Sequence, residues 1–147
     1  MNIPKKRTII IVAEDDPDDR MLIQDAIEEA DLTNAVEFVE DGASLMDDLH
    51  QRLKKTGQKK NYLPELILLD LNMPKKNGWQ VLKEIKEDDR LKTIPVVILT
   101  TSSSPEDVQR SYQLGGNGFI TKPSTFTGLI EIMKSLNAYW FNTVLLP

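Results

Sequence analysis

The chain has 147 residues, enough for one domain with a sizeable core, and its 18 Lys and Arg against 23 Asp and Glu give a formal charge of −5. This acidic balance argues against a general nucleic-acid binder and against a protein that binds anionic membranes. The absence of Cys excludes a disulfide framework, thiolate metal ligands and a cysteine nucleophile, and it suits a reducing compartment.

Two strand–helix pairs are predicted in the first part of the chain. Residues 8–13 (TIIIVA) form a β-branched run that ends at acidic residues, as expected of a strand buried on both faces. The run is too short for a signal-peptide core, so we expect a cytoplasmic protein. Pro17 fits the first turn of a helix. The apolar positions that recur along this helix are Met21, Leu22, Ile23, Ala26, Ile27 and Ala30. Residues 36–39 predict a shorter strand, followed by a helix capped at or near Asp41.

Three further strand–helix pairs complete the pattern. Residues 66–70 (LILLD) and 96–100 (VVILT) are apolar runs that end in a carboxylate and in a hydroxyl. Residues 118–123 (GFITKP) predict a fifth strand, and the last helix is predicted over about residues 126–139. The strand centres are about 22 to 30 residues apart, which leaves room for a helical crossover. We therefore expect an α/β domain over residues 1–147: a (βα)5 fold with a doubly wound, parallel, five-stranded sheet.

Polar side chains follow four of the five predicted strands. They are Glu14, Asp15 and Asp16 after the first strand, Asp70 after the third, Thr100 and Thr101 after the fourth, and Lys122 after the fifth. Because parallel strands end at one edge of a sheet, where ligands bind, we expect these groups to converge there. Carboxylates at close range repel one another unless a cation neutralises them or some are protonated. Oxygen ligands that leave room for water and phosphate favour Mg²⁺.

Asp70 is the predicted nucleophile of this site. A carboxylate can accept a phosphoryl group and form an acyl phosphate. The Thr100 hydroxyl and the Lys122 ammonium would then bind phosphoryl oxygens. The next acids along the chain are Asp18 and Asp19. We expect them to be solvated residues that favour a helix N-terminus, with no role in the site.

Four motifs resemble the receiver domain of two-component response regulators: IIIVAEDDP, ILLDLNMPKKNG, PVVILTTS and GFITKP. The resemblance covers about residues 8–136 and implies the flavodoxin-like receiver topology. It implies that Asp70 is phosphorylated, that Asp15 binds Mg²⁺ directly and that Glu14 holds the metal through water. It also implies that Asn72 supplies a backbone carbonyl to the metal.

The same resemblance implies a conformational switch. Thr100 would move toward the phosphoryl group, Lys122 would pair with that group, and the rotamer of Phe119 would follow Thr100. A cis peptide before Pro123 is a further expectation. Ala13 is an extra residue relative to the family pattern, so Asp15 with Asp16 stays open as an alternative to the Glu14 and Asp15 pair.

The same resemblance implies which partners the protein has and what its C-terminal tail does. The resemblance implies a sensor histidine kinase as phosphoryl donor, and the basic segment 51–65 and the aromatic tail resemble stand-alone receivers that partner bacteriophytochrome-type kinases. Residues 138–147 form an apolar C-terminal extension that would be unfavourable if exposed on a monomer. It either folds back on the last helix or forms a homodimer, and we predict the dimer. The predicted interface residues are Tyr139, Trp140, Phe141 and Leu145.

The predicted function is a signalling module that turns over no external substrate and is therefore not an enzyme. One alternative is a receiver-like scaffold that works without phosphorylation. Another is a phosphohydrolase of the haloacid dehalogenase type, which requires a second Asp two residues after its nucleophile. This chain has Asn72 there, and its acid pair comes first in the sequence rather than last.

Overall fold

The computed structural model describes residues 9–31, 35–56 and 63–139, with the backbone alone at positions 35 and 56. In these residues five strands alternate with five helices. The elements are β1 Ile9–Ala13, α1 Pro17–Glu29, β2 Ala35–Val39, α2 Gly42–Thr56, β3 Leu66–Leu69, α3 Gly78–Glu87, β4 Val96–Thr100, α4 Pro105–Gln113, β5 Gly118–Thr121 and α5 Phe126–Asn137. The predicted order of elements is confirmed, and α5 ends two residues before the predicted end at residue 139.

The five strands form one parallel sheet in the order β2-β1-β3-β4-β5. This is the flavodoxin-like order, which confirms the predicted (βα)5 fold class. The register pairs Ala13 of β1 with Val39 of β2 and with Leu69 of β3. The residues that directly follow β1 and β3 therefore leave the sheet side by side, at its carboxyl edge.

One compact unit contains the sheet with α2, α3 and α4, in described residues 9–15 and 35–121. Its core includes alternate strand residues and the inward faces of α2 and α3. The main members are Ile11, Ala13, Leu45, Met46, Leu49, Ile67, Leu69, Val81, Leu82, Ile85, Val96 and Ile98. The intervening strand residues, such as Val12 and Leu68, are buried as well. Burial on both faces explains why these strands are continuous apolar runs rather than alternating patterns.

A second compact unit contains α1 and α5, in described residues 16–31 and 122–139. The two helices contact each other, and their buried residues are Ile23, Ala26, Ile27, Leu129, Met133 and Leu136. Of the apolar positions that recur along α1, Met21 and Leu22 are exposed, at 66% and 46%. Neighbouring positions on a helix point about 100° apart, so the stripe formed by residues 23, 26 and 27 turns both of them away from the buried face.

Two local predictions have different outcomes. The carboxylate of Asp41 accepts a hydrogen bond of 2.7 Å from the backbone N–H of Ser44, which confirms it as the cap of α2. This hydrogen bond is the main reason that the pKa of Asp41 lies below its ordinary value. The expected cis peptide before Pro123 was wrong, since the described residues contain none.

Candidate functional site

Three carboxylates meet at the carboxyl edge of the sheet. One oxygen each from Glu14, Asp15 and Asp70 lies within 4.8 Å of the others. Glu14 and Asp70 are buried, whereas Asp15 is exposed. The backbone N–H of Asp70 donates to the carbonyl of Ala13 at 3.1 Å, and the N–H of Glu14 donates to the carbonyl of Val39 at 3.0 Å. Continuation of the sheet hydrogen bonds past the strand ends therefore holds two of these acids in place.

The loop after β3 is held against the start of α3. The Asn72 backbone N–H donates to the Asp70 carboxylate at 3.2 Å, and the Gly78 N–H donates to the carbonyl of Leu71 at 3.0 Å. A Cβ at Gly78 would lie 2.4 Å from the carbonyl oxygen of Asp70, so the close approach requires glycine. Asn77 caps α3 through a reciprocal capping box with Gln80, as expected of a helix entry at this position.

Thr100 ends β4, the strand next to β3 in the sheet. Its side chain is fully buried, and within the described residues its Oγ1 has no hydrogen-bond partner. Thr101, the next residue, is exposed. An unpaired buried hydroxyl is unfavourable, so a fold that retains one at a strand end indicates a role other than stability.

The loop after β4 is bound to α4 and to β5. The Ser102 hydroxyl donates to the Asp107 carboxylate at 2.6 Å, and the Thr121 hydroxyl donates to the Ser102 carbonyl at 3.0 Å. Phe119 pairs with Ile98 in the β4–β5 register. The Phe119 ring is half-buried and packs against the core of the first unit. A movement of this loop would therefore be transmitted to α4 and β5.

Asp16 and Lys122 belong to the second unit, and each has a defined role there. The Asp16 carboxylate caps α1, accepting from the N–H of Asp18 at 2.8 Å and of Asp19 at 3.4 Å. The Lys122 ammonium lies 2.9 Å from the carboxylate of Asp19. The sequence does not predict this pair, because an acidic residue in the first turn of a helix is typically solvated. No local signal could have shown it, because the partners are 103 residues apart in sequence.

A family model described as the response regulator receiver domain matches residues 10–134. The chain belongs to this family. As a receiver, it is a phosphoacceptor of two-component signal transduction.

Relatives of known structure resemble this receiver over nearly its whole length. The response regulator Rcp1 of Synechocystis sp. is 39% identical over 147 residues, which are 99% of this chain and 95% of that protein. The crystal structure of the Mn²⁺-bound form of Rcp1 has a TM-score of 0.80 at 37% identity, over 95% of this chain and 99% of that one.

Two further structures are similar. The phosphorylated cyanobacterial phytochrome response regulator RcpA has a TM-score of 0.83 at 40% identity, over 96% of this chain and 99% of that one. A response regulator in red light signalling of R. palustris has a TM-score of 0.85 at 30% identity, over 95% and 98% of the two chains.

The C-terminal extension of the receiver is described only at its start. Tyr139 is 57% exposed, while Trp140, Phe141 and Leu145 lie outside the described residues. The predicted dimer interface therefore stays a prediction. Among the helices that the structure describes, none has both the length and the apolar character needed to cross a bilayer.

Proposed function

We propose that Asp70 is the phosphorylated residue of a Mg²⁺-dependent switch whose output is a change in a protein-binding surface. The observation that carries the proposal is the cluster of Glu14, Asp15 and Asp70, two of which are buried. Like charges at this distance are unfavourable unless other charges offset them, and a divalent cation would do so. The Mn²⁺-bound structure of Rcp1 supports a divalent metal in this relative.

Glu14, Asp15 and Asp70, with the backbone carbonyl of Asn72, are the proposed metal ligands. Carboxylate and carbonyl oxygens are the ligands that Mg²⁺ prefers, and it retains several waters. The cation would neutralise charge on the incoming phosphoryl group. The capping bonds of Asp16 account for its carboxylate and favour Glu14 with Asp15 as the functional pair.

Phosphotransfer then requires a carboxylate as nucleophile and hydrogen-bond donors that bind the phosphoryl oxygens. An oxygen of Asp70 attacks the phosphorus of a phosphohistidine; the O–P bond forms as the P–N bond breaks, and the imidazole leaves with the electron pair and takes up a proton. The Thr100 hydroxyl and the Lys122 ammonium bind phosphoryl oxygens, each as a charge-assisted contact. Thr100 has no competing partner among the described residues, so its hydroxyl is available for this bond.

The switch is proposed to pass from Thr100 to Phe119. The two residues lie on neighbouring strands, and the loop between β4 and α4 is tied to β5 through Ser102 and Thr121. Movement of Thr100 toward a phosphoryl group would displace this loop and open space for the Phe119 ring. The surface formed by α4 and β5 then changes, which is an output by binding and not by turnover of an external substrate.

A sensor histidine kinase of the phytochrome type is the proposed phosphoryl donor. The similarity to RcpA, a phytochrome response regulator, and to a red-light response regulator supports this choice. We further propose that residues 1–147 act as one receiver domain, because the family match at 10–134 includes elements of both compact units. Residues 138–147 are proposed to extend the domain and to form a homodimer through Tyr139, Trp140, Phe141 and Leu145.

Beryllofluoride, a mimic of the phosphoryl group, tests the proposal when added with Mg²⁺ to the full chain. Trp79 is a suitable reporter, because the Arg110 guanidinium of α4 lies 4.3 Å from the centroid of its ring. We expect a Mg²⁺-dependent change in Trp79 fluorescence in a Trp140→Phe background. Asp70→Asn should abolish both this change and labelling by a phosphodonor.

The outcomes separate the alternatives. Labelling that persists in Asp70→Asn would mean that another residue is the acceptor. The absence of any response in the wild-type chain would favour the phosphorylation-independent scaffold. Sedimentation of the wild-type chain, with Trp140 intact, tests the dimer, and a monomer well above micromolar concentration, with beryllofluoride and Mg²⁺ present, would contradict it.

A further inference from the structure

The ion pair between Lys122 and Asp19 is the unexpected feature of the second unit. The Nζ of Lys122 and the Oδ2 of Asp19 are 2.9 Å apart. The Lys122 side chain is 13% exposed and that of Asp19 is 36% exposed, so the lysine is the more deeply enclosed of the two. The contact joins the first turn of α1 to the segment between β5 and α5.

Asp19 is able to bind Lys122 because another residue caps its helix. An acidic residue in the first turn of a helix usually interacts with the unpaired N–H groups there. In α1 the Asp16 carboxylate accepts hydrogen bonds from two of these groups. The Asp19 carboxylate is directed instead to an ammonium 103 residues away.

We propose that Asp19 is a positioning residue that binds the Lys122 ammonium in the unphosphorylated protein and competes with the phosphoryl group for it. The inference rests on the proposed role of Lys122 at the phosphoryl group. Each phosphorylation then exchanges a carboxylate for a phosphoryl oxygen at the same ammonium. Asp19 thereby lowers the affinity for the phosphoryl group and favours return to the unphosphorylated state.

The size of the effect follows from the population of the ion pair. When only a fraction of the protein has a competent Lys122, the apparent affinity falls by that fraction. Partly exposed ion pairs shift such equilibria only modestly. We expect Asp19→Asn to bind beryllofluoride, at fixed Mg²⁺, roughly two- to fivefold more tightly than the wild type.

Asp18→Asn is the matched control. Asp18 precedes Asp19 in the same turn and is exposed, so its substitution removes the same charge without touching the pair. Titration with beryllofluoride gives the affinity of each variant, and thermal unfolding without ligand reports any loss of structure. Repeating both substitutions in a Lys122→Met background shows whether the effect of Asp19 passes through the lysine.

Tighter binding in Asp19→Asn than in Asp18→Asn, lost in the Lys122→Met background, is the expected result. Equal effects of the two Asn substitutions would overturn the inference, because the change would then come from overall charge. Weaker binding in Asp19→Asn would also overturn it and would mark the pair as a structural contact. If Lys122→Met alone leaves the affinity for beryllofluoride unchanged, the proposed role of Lys122 is wrong. This result is distinct from the two above, which contradict only the proposed role of Asp19.

Discussion

Thr100 allows a test in which stability and signalling move in opposite directions. Its side chain is fully buried at the end of β4, and its Oγ1 has no hydrogen-bond partner within the described residues. Val has nearly the shape of Thr without the hydroxyl, so Thr100→Val removes an unpaired polar group and preserves the packing. We expect the variant to be more stable than the wild type when neither metal nor phosphoryl group is bound.

The expected gain follows from the cost of burying a hydroxyl. Data from protein variants place that cost at about 1–3 kcal/mol when no hydrogen bond replaces water. For a chain of 147 residues, each kcal/mol shifts the midpoint of thermal unfolding by about 2–4 °C. A gain of about 2 kcal/mol therefore raises Tm by about 4–8 °C.

The same substitution should weaken the response to beryllofluoride. A hydrogen bond to a charged group contributes about 1.5–3 kcal/mol, which corresponds to a loss of affinity of roughly tenfold to a hundredfold. Wild-type protein at a ligand concentration a hundred times its Kd gains about 2.7 kcal/mol of stability. At that concentration the Thr100→Val protein should gain less than about half as much.

Thermal unfolding, followed by circular dichroism with and without Mg²⁺ and beryllofluoride, measures both effects. Ser111→Ala is the control, because Ser111 is equally buried but its hydroxyl donates to the Val108 carbonyl at 2.8 Å. Ser111→Ala should lower the free energy of unfolding by about 1 kcal/mol and keep the full stabilisation by Mg²⁺ and beryllofluoride. A Thr100→Val protein that is less stable than the wild type, or that keeps the full ligand gain, would refute the reasoning.

Three further predictions follow from the loop, the helix cap and the metal site. Gly78→Ala should lower the free energy of unfolding by about 1–3 kcal/mol and weaken Mg²⁺ binding, since its Cβ would lie 2.4 Å from a carbonyl oxygen of the loop. Gly118→Ala is the control: the nearest atom to its Cβ is 3.4 Å away, so its free energy of unfolding, measured in urea, should change little. Asp41 has a pKa lowered from its ordinary value of 3.8, so its charge stabilises the fold well above that pH. The excess stability of wild type over Asp41→Asn should therefore be constant at neutral pH and shrink as the pH falls below 3.8 through the lowered folded-state pKa. Asp15→Asn should lose most of the roughly 2.7 kcal/mol that Mg²⁺ confers at a hundred times its Kd, whereas Asp16→Asn should keep it.

The fold could be predicted because its three central strands, β1, β3 and β4, are buried on both faces. Such strands are continuous apolar runs, and the first polar residue marks the point at which each strand leaves the core. Asp70 directly follows β3, and Thr100 ends β4. Since all strands are parallel, the same marks also locate the candidate site, and the grouping of Glu14 and Asp15 with Asp70 follows from register alone.

Which face of α1 is buried could not be predicted in the same way. Its six apolar residues extend over more than one helical face, and periodicity does not show which face is buried. Met21 and Leu22 are exposed because Ile23, Ala26 and Ile27 form the buried stripe. The Lys122 partner was missed for a related reason, since a contact between distant segments has no local sequence signal.

The acidic run between β1 and α1 shows how one residue type serves several roles at adjacent positions. Glu14 and Asp15 continue from the strand and join Asp70. Asp16 caps α1 through hydrogen bonds from the backbone N–H groups of its first turn. The carboxylate of Asp19, in the same turn, contacts Lys122. Asn caps helices as well as Asp does, so Asp→Asn substitutions in this run remove charge without loss of the cap. The proposed roles of these acids in binding the metal and in positioning Lys122, and the capping role of Asp16, can therefore be tested one residue at a time.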